Sequence, residues 1–165
     1  MEILQLNEHY ISQIKKITNS VIANLPNPDW LICLTNDEID NLFINPNVIM
    51  YGLVSNNKLL SISGLFFDES DFFDITKLLN IPSNKVAEIA ESMTLPNARG
   101  HNYMLKINQE LKTHATMLGF EYLIATAHPD NIASNKSLQK LGMKCYGQFL
   151  RYGKYLRNYY LLKLN

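Results

Sequence analysis

Polarity alternates along residues 2–7, EILQLN, which predicts a first strand. Residues 9–25 change to a helical period. Ile11, Ile14, Ile17, Val21 and Leu25 fall on one face, and Pro26-Asn27-Pro28 ends the run. TNDEIDNLFI (35–44) predicts a short acidic helix with Thr35 and Glu38 at capping-box spacing. Residues 48–67 predict two strands around Asn56-Asn57, a pair suited to a tight hairpin turn. DFFDITKLLN (71–80) predicts a small inserted helix, and KVAEIAESMTL (85–95) a strand.

Met104, Ile107, Leu111, Ala115 and Leu118 mark the buried face of a helix over 103–118, with Gly119 as its stop. YLIATA (122–127) is a nearly charge-free run, expected of a strand covered on both faces. HPDN (128–131) turns the chain into a helix over 132–141 that ends at Gly142. KCYGQFLRY and LRNYYLLKL predict two closing strands around Gly153. Leaving the inserted helix aside, the order is β, α, α, β, β, β, α, β, α, β, β. It predicts one α/β domain over 1–165, built on a mixed sheet of about seven strands with helices packed against it.

One junction departs from the ordinary rules. In LPNARGHNYMLKI (95–107), Pro96 stops the strand and Gly100 admits backbone angles that other residues avoid. The following helix begins with no acid between Glu91 and Glu110. Helix N-termini carry free N–H groups and partial positive charge, so they usually attract Asp or Glu. Here that end is open, with Arg99 beside it, as a phosphate or pyrophosphate site would be. The residues match neither a P-loop nor a three-glycine dinucleotide fingerprint.

Of 165 residues, 47% are hydrophobic and 18% charged, as in a globular protein, and no apolar run is long enough to span a bilayer. MEILQLNEHY lacks the pattern of a signal peptide, so the expected location is cytoplasmic. Cys33 and Cys145 provide neither a disulfide framework nor metal spacing, and their apolar flanks predict buried thiols. The net charge of zero is unevenly distributed. After Asp130 there is no acid, while Lys136, Lys140, Lys144, Arg151, Lys154, Arg157 and Lys163 give +7, leaving −7 on residues 1–130. An anion at one end and a cation at the other would suit such a charge distribution.

LPNARGHNYM followed by HPDNIASNKSLQKLGM resembles the acyl-CoA loop and the next helix of the GNAT family of N-acetyltransferases. The loop positions are Asn97, Ala98, Arg99, Gly100, His101 and Asn102. The later motif is Asn131, Ser134 and Gly142-Met143. The order of elements agrees along essentially the whole chain. The resemblance implies a mixed, mostly antiparallel sheet with splayed central strands, acetyl-CoA as acyl donor, and no metal. It puts the pyrophosphate on the N–H groups of residues 99–104, including Tyr103. The pantetheine arm would lie between the strands ending at Leu95 and Ala127, with backbone partners at Met93, Leu95 and Thr126. Asn131 would bond the donor, with Asn135 nearby. Three positions depart from the family pattern: Asn102 for a glycine, Met143 for an aromatic residue, and Leu138 for a tyrosine that protonates the departing thiolate. Either another group, such as Tyr146, Tyr152 or Tyr155, supplies that proton, or the thiolate leaves unassisted, or the enzyme is impaired.

Transfer to an amine needs a proton acceptor. Glu91 and Glu88 are the leading candidates, with His128 third. On a regular strand their odd separation would put the two glutamates on opposite faces, unless a bulge intervenes. The expected acceptor is a primary amine on a small molecule or peptide. The resemblance implies that the acceptor enters between the first two helices and the closing hairpin, so Asp37, Glu38 and Asp40 on the first wall suit an ammonium group. Arg151, Tyr155 and Arg157 on the closing hairpin suit an anionic group on the same acceptor. The alternatives are a CoA-binding module with impaired catalysis and, more remotely, a nucleic-acid-binding protein using the basic aromatic tail. No membrane partner is expected, and a homodimer stays open.

Overall fold

In the computed structural model all 165 residues are described, and seven strands form one sheet in the order β1-β2-β3-β4-β5-β7-β6. The strands are β1 (Glu2–Gln5), β2 (Val48–Ser55), β3 (Lys58–Phe66), β4 (Val86–Thr94), β5 (Tyr122–Ala127), β6 (Lys144–Arg151) and β7 (Tyr155–Lys163). The helices are α1 (Ile11–Ala23), α2 (Asn36–Asp40), α3 (Phe73–Leu79), α4 (Tyr103–Met117) and α5 (Ile132–Leu141). All neighbouring strands are antiparallel except β4 and β5. The elements lie where the polarity pattern places them, with ends that agree to within four residues.

Local chemistry accounts for the punctuation. Asn56 and Asn57 both take left-handed backbone angles, φ 49° and 59°, as a two-residue hairpin of this type requires. Thr35 and Glu38 close the capping box of α2 in both directions. The alternation along β4 divides the core. Ala87 and Ile89 pack with Ile107, Leu111 and Ala115 of α4. Met93 packs with Ile14, Ile17 and Val21 of α1 on the opposite face. A smaller cluster, Phe72, Ile75, Val86 and Ile124, holds α3 against the sheet.

Two expectations fail at the periphery. Leu118 is 49% exposed, because α4 ends at Met117 and the last apolar position no longer faces the sheet. Cys145 is exposed rather than buried, because β6 is the outermost strand. Cys33 is half-buried, and burial pushes its thiol up to about 12, away from reactivity.

The relation of β4 to β5 positions the site. Their parallel pairing covers Val86–Tyr122, Ala87–Leu123 and Glu88–Ile124, and then stops. Beyond Glu88 the strands part, while β3 continues to pair with β4 and β7 with β5. The gap opens at the C-terminal ends of both strands, where α4 and α5 begin.

Candidate active site

Two cavities meet at this gap. The first, about 540 Å³, lies over β4 and β5 and is lined by Glu38, Asp71, Glu88, Glu91, Thr126, Leu138, Tyr152 and Arg157, among others. The second, about 390 Å³, runs along the loop before α4 and the first turns of α4 and α5. Trp30, Leu31, Ser92, Met104, Asn131 and Ser134 line both, so they form one passage through the divided sheet.

The second cavity has the electrostatics of an anion site. It is lined by Arg99, His101, Lys136 and Lys140 and by no acid. Asn102 occupies the N-cap of α4 in the left-handed conformation, φ 57°, and makes no side-chain cap. Lys106 N–H, bonded to Asn102 O at 3.1 Å, is the first to bond back into the helix. The N–H groups before it in α4 have no intrahelical acceptor. Gly100 has φ +85°, and a side-chain carbon there would enter open space. His101 stacks on Tyr103 at one side of the loop. Met93 lines this cavity and Asn131 lines both. Asn131 Oδ1 also caps α5 by accepting from Ser134 N–H.

Two expected donor contacts are corrected. Leu95 lines neither cavity: its N–H bonds Leu60 O and its carbonyl accepts from Ala98 N–H. Asn135 also lines neither. Its amide nitrogen donates to His128 O at 2.9 Å and Asn131 O at 2.8 Å. Its Oδ1 accepts from Asn158 at 2.8 Å and from the Tyr160 hydroxyl at 2.5 Å. The side chain therefore fastens α5 to β7 and has no capacity left for a ligand.

The first cavity holds the carboxylates. Opposite β4, the register steps from Ile62–Met93 to Gly64–Ala90, so Ser63 alone faces Glu91 and Ser92. This is a β-bulge. Glu91 sits in it with φ +52°, a conformation that costs a glutamate about 1–3 kcal/mol. The bulge overturns the opposite-face expectation: Glu88 and Glu91 line the same cavity. Burial, with the charges of Glu38 and Glu88, pushes the Glu91 carboxyl up to about 7, against a weak hydrogen bond from Leu34 N–H at 3.5 Å. A carboxyl in that range can take up and release a proton near neutral pH.

Glu88 is held differently. Arg151 Nη1 donates to its Oε1 at 2.5 Å and Nη2 to its Oε2 at 2.9 Å. Arg151 also donates to Thr126 Oγ1 and to Asp71 O. Both side chains are almost wholly buried. Arg151 is thus an internal counter-ion, which corrects its assignment as an acceptor-binding group. Arg157 lines the cavity, whereas Tyr155 does not. Tyr146 lines neither cavity: it lies exposed on β6 beside Lys144. Of the three tyrosines considered as proton donors, Tyr152 alone lines the first cavity. His128 accepts from Asp130 N–H and stacks on Trp30, and lines neither cavity. Trp30, which lines both cavities, and Ser137, which lines the second, gave no sequence signal, because only the folded chain brings their segments to the gap.

Residues 67–144 match the model of the acetyltransferase (GNAT) domain family. Over this segment, a little under half of its length, the chain is similar to that family. A search of curated protein sequences gave no match. Among solved structures, the chain is similar to an N-acetyltransferase from Staphylococcus aureus. That pair has 20% identity, 99% of this chain and 98% of the other covered, and a TM-score of 0.78. It is also similar to YncA of Salmonella typhimurium, solved with acetyl-CoA, at 16% identity, 100% and 94% coverage and a TM-score of 0.78. The ribosomal-protein-alanine N-acetyltransferase of Brucella melitensis gives 16% identity, 99% and 100% coverage and 0.76. At such identities the likeness establishes the fold, and it extends over the strands that precede residue 67. No helix of the chain is long and apolar enough to cross a membrane.

Proposed function

We propose that residues 1–165 form a single catalytic unit that transfers acetyl from acetyl-CoA to a primary amine of a small molecule or peptide, by direct attack in a ternary complex. One observation carries this reading: an acid-free basic groove and a chamber containing Glu91 meet at the gap between β4 and β5. YncA, which shares the fold, was solved with acetyl-CoA.

The residues fit such a donor. The N–H groups of Arg99, Gly100, His101, Asn102, Tyr103 and Met104 would hold the pyrophosphate, where open space at Gly100 lets an anion reach the backbone. Lys136 and Lys140 add positive charge from α5. Met93 and Asn131 would flank the pantetheine arm. When bound, the donor supplies a thioester carbonyl: the amine nitrogen bonds to its carbon, the C–S bond breaks, and the sulfur keeps the electron pair.

Glu91 removes the proton that the amine must lose, directly or through a water molecule. Its raised carboxyl range makes it a base matched to neutral pH, and the bulge aims it into the chamber. Glu88 keeps Arg151 in place and is a weaker base candidate, because both of its oxygens are bonded. Leu138 lines the chamber and has no proton to give. Tyr152 supplies the proton to sulfur, or the thiolate leaves unassisted.

The test is thiol release from acetyl-CoA against a panel of amines, with Glu91→Gln as control. Amine-dependent release that falls in the variant is expected. Donor binding without release by any amine would favour the second reading, a CoA-binding module, which the aliphatic Leu138 makes specific.

A further inference from the structure

The first cavity contains one guanidinium that is buried and lacks a counter-ion. Arg157 is 3% exposed and lines the chamber. Its Nη1 donates to the neighbouring Leu156 carbonyl at 2.8 Å. Its Nη2 is buried with no partner. No carboxylate lies within ion-pairing distance of it, in contrast to Arg151, which is closed on Glu88 in the same cavity. The nearest contact of another kind is the face of the Tyr155 ring, 5.6 Å from the guanidinium carbon. Burial and repulsion from Arg151 both disfavour its charge, and Asp29 offsets them only in part.

A buried charge without a partner is costly and is usually removed, paired or used. The protein supplies no anionic partner for Arg157, so a ligand is the remaining source. On the opposite wall, Glu38 closes the cap of α2 and Asp40 pairs with Lys15, and neither Asp37 nor Asp40 lines the chamber. Arg157 therefore sets the chamber's selectivity more than the acidic helix does. A guanidinium presents planar, paired N–H groups that match a carboxylate or phosphate.

We infer that the acceptor is a small amine that also carries a carboxylate or phosphate, and that Arg157 binds this anionic group while Glu91 receives the amine. Arg157 lies on β7 and Glu91 on β4, with β5 between, so anion and amine approach the chamber from opposite sides of the gap. This inference rests on the acetyl-transfer reading. It adds a substrate class to that reading.

The experiment uses three short amines that differ at one end: ethanolamine, β-alanine and O-phosphoethanolamine. The parent enzyme, Arg157→Met and Arg157→Lys are each assayed for thiol release and, separately, for binding by calorimetry in the presence of CoA. At least one anionic amine should exceed ethanolamine by about tenfold or more in kcat/KM, as expected for a charge-assisted contact. That advantage should disappear in Arg157→Met and return in part in Arg157→Lys. Removing an uncompensated charge should leave the melting temperature of Arg157→Met unchanged or higher, whereas a purely structural arginine would lower it. Arg157-dependent binding of an anionic amine without turnover upholds the anion site and overturns the catalytic reading. Equal handling of all three amines in both measurements, or an anionic preference that survives in Arg157→Met, overturns the inference and leaves acetyl transfer standing.

Discussion

Arg151, at the end of β6, reaches back to Glu88 on β4 and closes on it with two hydrogen bonds of 2.5 and 2.9 Å. Strands β5 and β7 lie between these two residues in the sheet, so the pair links the closing hairpin to the centre of the fold. Burial pushes the Glu88 carboxyl up, and the guanidinium opposes that rise. Removing one partner strands the other in a water-poor site. Arg151→Met should destabilise the protein by about 3–5 kcal/mol, measured by denaturant unfolding. The double variant Glu88→Gln, Arg151→Met should recover much of this loss. Additive losses would show that the two groups act independently.

Asn135 is a second fastening point, and its effect on the donor is indirect. It satisfies the carbonyls of His128 and Asn131 and the buried Tyr160 hydroxyl together. Asn135→Ala should cost about 2–4 kcal/mol, since several buried polar groups lose their partner at once. Donor affinity per folded molecule, measured by calorimetry at low temperature, should change far less. A tenfold loss of affinity with full stability would return Asn135 to the ligand side.

The course of the elements was legible because each depends on local chemistry. Asn56-Asn57, the Thr35–Glu38 box and the glycines at 119 and 142 act over a few residues, and the structure uses all of them. The open N-terminus of α4 was legible for the same reason. The chamber was not. Glu88 and Arg151 are 63 positions apart, and nothing in either segment announces the pair. The bulge at Glu91 reverses strand parity through one left-handed residue, although no glycine marks it. Arg157 and Arg151 read alike in sequence. Only the fold gives one a carboxylate and leaves the other without.

In the loop proposed to hold the donor, Gly100 combines a positive φ with open space ahead of it. Gly100→Val places a branched side chain where the backbone should meet an anion, in a conformation that valine resists. CoA affinity should fall about tenfold or more while the fold persists, with a stability loss on the order of 1–2 kcal/mol. Unchanged calorimetric affinity in the folded variant would move the anion elsewhere.

The tyrosines separate cleanly. Tyr146→Phe alters a hydroxyl outside both cavities and should leave turnover within about twofold of the parent. Tyr152→Phe removes the tyrosine hydroxyl of the chamber and should lower kcat more than the donor's KM if it protonates the thiolate. Equal rates in the parent and Tyr152→Phe would mean that the thiolate leaves without help.

Glu91 joins stability to activity with opposite signs. Its folded carboxyl titrates at about 7, against an ordinary value of 4.5. Between those pH values the folded state keeps a proton that the unfolded state has released. Stability therefore falls as pH rises through that window, and above pH 7 this group's contribution is constant. Glu91→Gln removes the ionisation. Relative to the parent, the variant should gain nothing near pH 4.5 and up to about 3 kcal/mol above pH 7, seen as a melting-temperature difference that grows with pH. Activity should move the other way. As the base, Glu91 must be ionised in the free enzyme, so kcat/KM of the parent should rise through pH 7, and the variant should lose ~10²-fold or more with that limb abolished. The left-handed φ of +52° is kept by Gln and relaxed by Gly, so Glu91→Gly should recover a further 1–3 kcal/mol, roughly, at every pH. A variant more stable at pH 8 yet slower identifies a carboxylate retained at a cost to the fold. A Glu91→Gln enzyme with full turnover and an unchanged pH profile would transfer the base to Glu88 or to water.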